Sequence, residues 1–95
     1  MKTKEEYIDS LSAELKEWSA EIDVLNAKAE LAAEDIKLQY YADIAALKAK
    51  EAVATAKIKE LQEASGDAWD AVKDTAEHVW HDLRTGLASI VSKFN

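Results

Sequence analysis

The sequence predicts an all-α protein. A long helix over about residues 4–64 is followed by a turn at 65–67 and a shorter helix over about 68–94, a single helical hairpin domain across 1–95 that assembles as a coiled-coil or helix-bundle oligomer. Three observations predict it. Ala, Glu, Lys, Leu and Arg supply just over half of the 95 residues, a share at which a coiled coil or long helix is the leading class. Proline is absent, and the only two glycines stand at 66 and 86. Apolar residues recur at helical spacings over most of the chain.

The first helix opens at Thr3-Lys4-Glu5-Glu6, a capping-box pattern in which the Thr hydroxyl accepts from the amide of the third helical residue. From Lys4 to Ala64 neither Gly nor Pro interrupts it. At ~1.5 Å per residue the expected rod is on the order of 90 Å long. Ile8, Leu11, Leu15, Trp18, Ile22 and Leu25 alternate spacings of three and four, the seam of a coiled coil, which continues through Ala29, Ala32 and Ile36. After Ile36 the frame slips by one residue, to Tyr40, Ile44, Leu47, Ala54, Ile58 and Leu61. The slip coincides with a wider apolar face that adds Leu31, Leu38 and Tyr41, where more than one partner helix is expected.

At Ser65-Gly66-Asp67, Gly66 suits the left-handed residue that ends a helix and Asp67 suits the N-cap of the next. The second helix repeats every eleven residues, with Ala68, Val79 and Ile90, Trp69, Trp80 and Val91, and Val72, Leu83 and Phe94 at matching positions. That period gives a nearly straight apolar stripe. The expected hairpin core is Leu47, Ile58, Leu61, Trp69, Val72, Trp80, Leu83, Leu87, Ile90 and Phe94, with Trp80 level with residues 52–56. Gly86 inside this helix costs ~1 kcal/mol relative to Ala, too little to break it.

The returning helix is less than half as long as the first, so Ile8, Leu11, Leu15, Trp18, Ile22 and Leu25 lie beyond its reach. Burying each is worth ~1.5–3 kcal/mol, so a second copy, most simply in a dimer, is expected to cover them.

Twelve basic against nineteen acidic residues give a net charge of −7, and a nucleic-acid backbone would be repelled. With no Cys there is no disulfide framework or thiolate chemistry. The opening MKTKEEYIDS has no apolar core of a signal peptide, and no long uncharged apolar run spans a membrane, so a cytoplasmic setting is expected. His78 and His81, with Asp74, Glu77 and Asp82 nearby on the helix, form the only His cluster; solvated histidines are expected rather than a metal site. No catalytic residue, cofactor site or metal is expected. The two candidate roles are a non-enzymatic interaction scaffold and, as the alternative, an amphipathic coat on a lipid or hydrophobic granule surface.

The segments EEYIDSLSAELKEWSAEID and EASGDAWDAVKDTAEHVWHDLRTGLASIVSKF, with the Ala/Lys/Glu-rich stretch between them, resemble a family of small acidic bacterial coiled-coil or stress-responsive proteins of unknown function. The paired Ala-Trp-Asp and Val-Trp-His-Asp elements and the terminal Ser-Lys-Phe are the most specific part of the likeness. The resemblance implies bacterial origin and helical form, and it brings no catalytic or ligand residue with it.

Overall fold

A computed structural model describes residues 3–94. It contains three helices, α1 (Lys4–Glu30), α2 (Glu34–Glu63) and α3 (Gly66–Phe94), with no strand among the described residues. The helices run up, down and up in a slender body of 51 × 17 × 17 Å.

The continuous helix expected over 4–64 is therefore corrected to two. Leu31 ends α1 in the αR region, its N–H reaching the carbonyls of Lys28 and Ala29. Ala33 starts α2 in an extended conformation, φ −62° and ψ 148°, with no side-chain cap bond. Its carbonyl accepts from the amides of Ile36 and Lys37. An Ala at the N-cap forgoes ~1 kcal/mol relative to Ser or Asp. Folding α1 back onto its own chain buries five of its six seam residues and half-buries Leu15, each worth ~1.5–3 kcal/mol. Tertiary burial outweighs local propensity, which in Leu31-Ala32-Ala33 favours an unbroken helix.

The second connection differs from expectation in detail. Ala64 is extended, the Ser65 carbonyl accepts from Ala68 and Trp69, and Gly66 is the first residue of α3. No described residue has positive φ, so Gly66 is not a left-handed cap, and Asp67 lies in the first turn of α3, where its charge opposes the helix dipole.

All three helices turn a three-four stripe inward. Ile8, Leu11, Trp18, Ile22, Leu25 and Ala29 of α1 meet Ile44, Leu47, Ala54 and Leu61 of α2 and Ala76, Trp80, Leu83, Leu87 and Ile90 of α3. Ile58, Trp69, Val72 and Phe94 pack half-buried at the margin. Each helix contributes one fully enclosed alanine, Ala29, Ala54 and Ala76, which lets the axes approach while Ile22, Leu47, Leu61 and Leu83 fill the volume between them. The Lys50–Asp82 and Asp43–Lys93 ion pairs and the stacked rings of Tyr40 and Phe94, 4.0 Å apart, fix the antiparallel register of α2 and α3.

Candidate functional site

The seam between the parallel helices α1 and α3 carries a pattern that the sequence reading missed. Near its lower end Tyr7 meets Trp69 edge-on, with centroids 5.8 Å apart, and Lys73 Nζ lies 5.2 Å over the Tyr7 ring. Eleven residues further along both helices Trp18 meets Trp80 at 6.3 Å, and the Arg84 guanidinium lies 5.7 Å over the Trp18 ring. Each rung thus consists of an α1 aromatic, an α3 tryptophan and an α3 cation, and all three recur at the same spacing. The Trp69–Trp80 step of the eleven-residue repeat serves this seam, while Leu83 and Ile90 of the same repeat belong to the three-four stripe of the core. Only half of the signal was visible in α3 alone; the matching Tyr7 and Trp18 could have supplied the rest.

Further contacts fasten the rungs. Lys4 Nζ donates to the Ala64 carbonyl at 2.6 Å and lies 5.3 Å over Trp69. It brings a cation to the C-terminus of α2, whose own last turn has none. Arg84 also pairs with Glu14 at 3.3 Å. Burial raises the Tyr7 phenol above its usual pKa, and the charges of Glu77, Asp74 and Glu14 push the same way. The buried Trp80 Nε1 has no acceptor among the described residues. An unmade bond of this kind costs ~1–3 kcal/mol. The apolar burial of the indole and its contact with Trp18 offset it.

A third step of eleven would reach Ala29 on α1 and Val91 on α3, and neither is aromatic. Ala29 is fully enclosed, and beside Val91 the surface carries an open cleft of about 290 Å³ lined by Ala20, Glu21, Val24, Leu25, Lys28 and Val91. The same end of the bundle carries the α1–α2 turn, where Leu31 is 89% exposed, Leu38 78%, Val24 55% and Ile36 43%. Leu31 and Leu38, expected to meet additional helices, are instead on the surface. Over residues 21–38 five acids, Glu21, Asp23, Glu30, Glu34 and Asp35, outnumber two lysines, Lys28 and Lys37.

The residues expected to wait for a second copy have partners within the chain. Ile8, Leu11, Trp18, Ile22 and Leu25 are buried, and Leu15 packs half-buried against the core. The short arm was to leave them uncovered, but α2 and α3 together cover them. Of the α3 residues Trp69, Trp80, Leu83, Leu87, Ile90 and Phe94, which an amphipathic coat would insert into a lipid surface, Trp80, Leu83, Leu87 and Ile90 are also inside. Inserting that stripe into a surface would require the bundle to open. Trp69, Val72 and Phe94 lie half-buried at its edge.

His78 and His81 stand exposed on α3. His78 Nδ1 lies 2.8 Å from the Asp74 carbonyl, so that nitrogen carries the proton and donates. Among the described residues no group of three or more His, Asp or Glu side chains is placed to hold a metal ion. No described helix is long and apolar enough to cross a membrane. Neither a protein family, nor a curated protein, nor a solved structure matches this chain.

Proposed function

We propose that this chain is a non-enzymatic helical-bundle module that binds other proteins through the end formed by the α1–α2 turn. The observation that carries the proposal is the exposure of Leu31 and Leu38, with Val24 and Ile36, at that one end, whereas Val53 is the other large apolar residue exposed among those described. Apolar surface gathered at one place marks an interaction site more often than single exposed side chains do. A scaffold of several copies was expected because a seam stood uncovered; with that seam inside one chain, our reading takes the turn as the interacting surface instead. The resemblance to small acidic bacterial stress-responsive proteins supports a stress-related setting and adds no residue to the site.

The test is a photo-crosslinking residue introduced at Leu31 or Leu38 in the cell that makes the protein, with exposed Asp70 of α3, at the opposite pole of the bundle, as the control position. A discrete protein adduct from the two turn positions and none from Asp70 is the expected result. Equal or absent adducts at all three would refute the reading. Leu31→Gln and Leu38→Gln should abolish the adduct formed from the other position and leave stability within ~0.5 kcal/mol, because neither side chain is packed.

A further inference from the structure

We propose that the outer face of α2 pairs antiparallel with the same face of a second copy of this chain, about a two-fold axis level with Leu47. This goes beyond the interaction at the turn and does not depend on it. Two three-four lines of residues run along α2. The inner one, with Ile44, Leu47, Ala54 and Leu61, is buried against α1 and α3. The outer one starts at Asp35 and Leu38, continues through the alanines at 42, 45, 49, 52 and 56, and ends at Lys59. All of these outer residues are exposed. Their spacing is that of a coiled-coil seam, ~36 Å long at ~1.5 Å per residue.

Exposed alanine by itself only favours helix. The ends of the line say more. Its uncharged residues are bounded by an acid at one end and a base at the other, and among the described residues neither Asp35 nor Lys59 has an ion-pair partner in its own chain. Leu38, 78% exposed, stands next to the acid, and Ala56 stands next to the base. Val53, 50% exposed, borders the line.

Laid antiparallel, two such lines match along their length. Asp35 meets Lys59 of the other copy, Leu38 meets Ala56, Ala42 meets Ala52 and Ala45 meets Ala49, and the two-fold axis makes each match twice. Acid faces base and large faces small, and the alanine methyls let the two axes approach closely. A parallel pair would set Asp35 on Asp35, Lys59 on Lys59 and Leu38 on Leu38, so charge selects the antiparallel one. Lys48 alone works against pairing. It borders the line beside the axis and comes near its own copy, where its long stem lets the ammonium stay in water.

The experiment is sedimentation equilibrium of the full chain at about 10–500 µM, because pairing through one helix per copy is at the small end of specific interfaces. A monomer–dimer equilibrium is expected. Asp35→Lys or Lys59→Asp alone places two like-charge pairs in the dimer and should weaken it about tenfold, and the double reversal should restore it. Both positions are exposed, so circular dichroism should show the fold unchanged. The chain has no Cys, so orientation can be read by oxidising single-cysteine variants. Ala42→Cys mixed with Ala52→Cys should crosslink. Ala42→Cys alone should not, since its two copies lie ~15 Å apart along the axis and a disulfide needs Cα atoms within about 7 Å.

A monomer at every concentration overturns the proposal. So does a dimer indifferent to both charge reversals, or one in which Ala42→Cys links to itself. Flotation with neutral vesicles that Ala49→Glu abolishes would overturn it too, by making a lipid surface the occupant. The reading at the turn fails separately: a monomeric chain that still gives the Leu31 adduct removes the pairing alone, and a dimer without that adduct removes the turn alone.

Discussion

Glu34→Pro separates the three-helix chain from the two-helix alternative by the size of its effect. Glu34 is the first residue of α2, exposed, with the extended Ala33 before it. Proline fits that position. The amide it removes is one of the four unpaired at a helix start, its fixed φ near −65° is helical, and the preceding residue already has the ψ that proline demands. Loss of the Glu charge from the first turn costs ~0.3–1 kcal/mol, and reduced freedom of the unfolded chain returns ~0.4–1 kcal/mol. The net change should be within about 1 kcal/mol of zero. In an unbroken helix over 4–64 the same proline would sit in the interior and cost ~3 kcal/mol or more. For a domain of this size 1 kcal/mol moves Tm by ~4–8 °C, so the alternatives differ by about 8 °C or more in a thermal melt followed by circular dichroism. Ala33→Ser adds a check of opposite sign. It supplies the missing cap and should stabilise by ~1 kcal/mol, whereas inside a helix serine would destabilise by about half a kcal/mol. A Tm drop above ~10 °C for Glu34→Pro, with a lower Tm for Ala33→Ser, would eliminate the turn at 31–33.

Three further outcomes follow from packing and charge. Gly86→Ala should raise stability by ~0.5–1 kcal/mol, because the new Cβ lies 3.6 Å from Leu47 Cδ2 and 3.3 Å from Lys50 Nζ, the movable tip of a side chain; an unchanged or lower urea midpoint would show that the helices cannot yield there. Trp80→Ala should cost ~3–5 kcal/mol in the same assay, since the indole is 3% exposed, and a loss of a few tenths would contradict its place in the core. Above pH ~10 the unfolded Tyr7 loses its proton before the folded one, whose pKa is raised by burial and by Glu77, Asp74 and Glu14. The stability it contributes is present below pH ~10 and lost as pH climbs through the native pKa, so Tyr7→Phe should flatten the alkaline limb of a stability–pH curve, and identical limbs would contradict it.

Much of the architecture was legible because helix signals here are local. Thr3 capped α1 as its spacing indicated, with its Oγ1 3.1 Å from the Glu6 amide, and the three-four stripe of Ile8 to Leu25 marked a buried face. The turn at 31–33 was written in a less direct form. No Gly or Pro stands there, yet the apolar frame slips after Ile36, Lys28 lies in the last turn of α1, and Glu34 and Asp35 lie in the first turn of α2. A stutter in one helix and a break between two leave the same mark on spacing; only the gain from folding α1 onto α2 and α3 decides between them. That gain belongs to the whole chain and no short window contains it. The site was less legible still. Leu31 and Leu38 read as core by apolarity, and their exposure follows from where the turn falls. The aromatic rungs needed the parallel alignment of α1 with α3, a relation between residues some sixty positions apart.

An odd number of passes places Thr3 beside the α2–α3 connection and Phe94 beside Tyr40, at opposite poles of a body 51 Å long. Tension applied through those two points runs along all three axes together. Every layer of side chains must then slide at once, instead of peeling open one after another, and anything tethered at the two poles is kept about a body length apart.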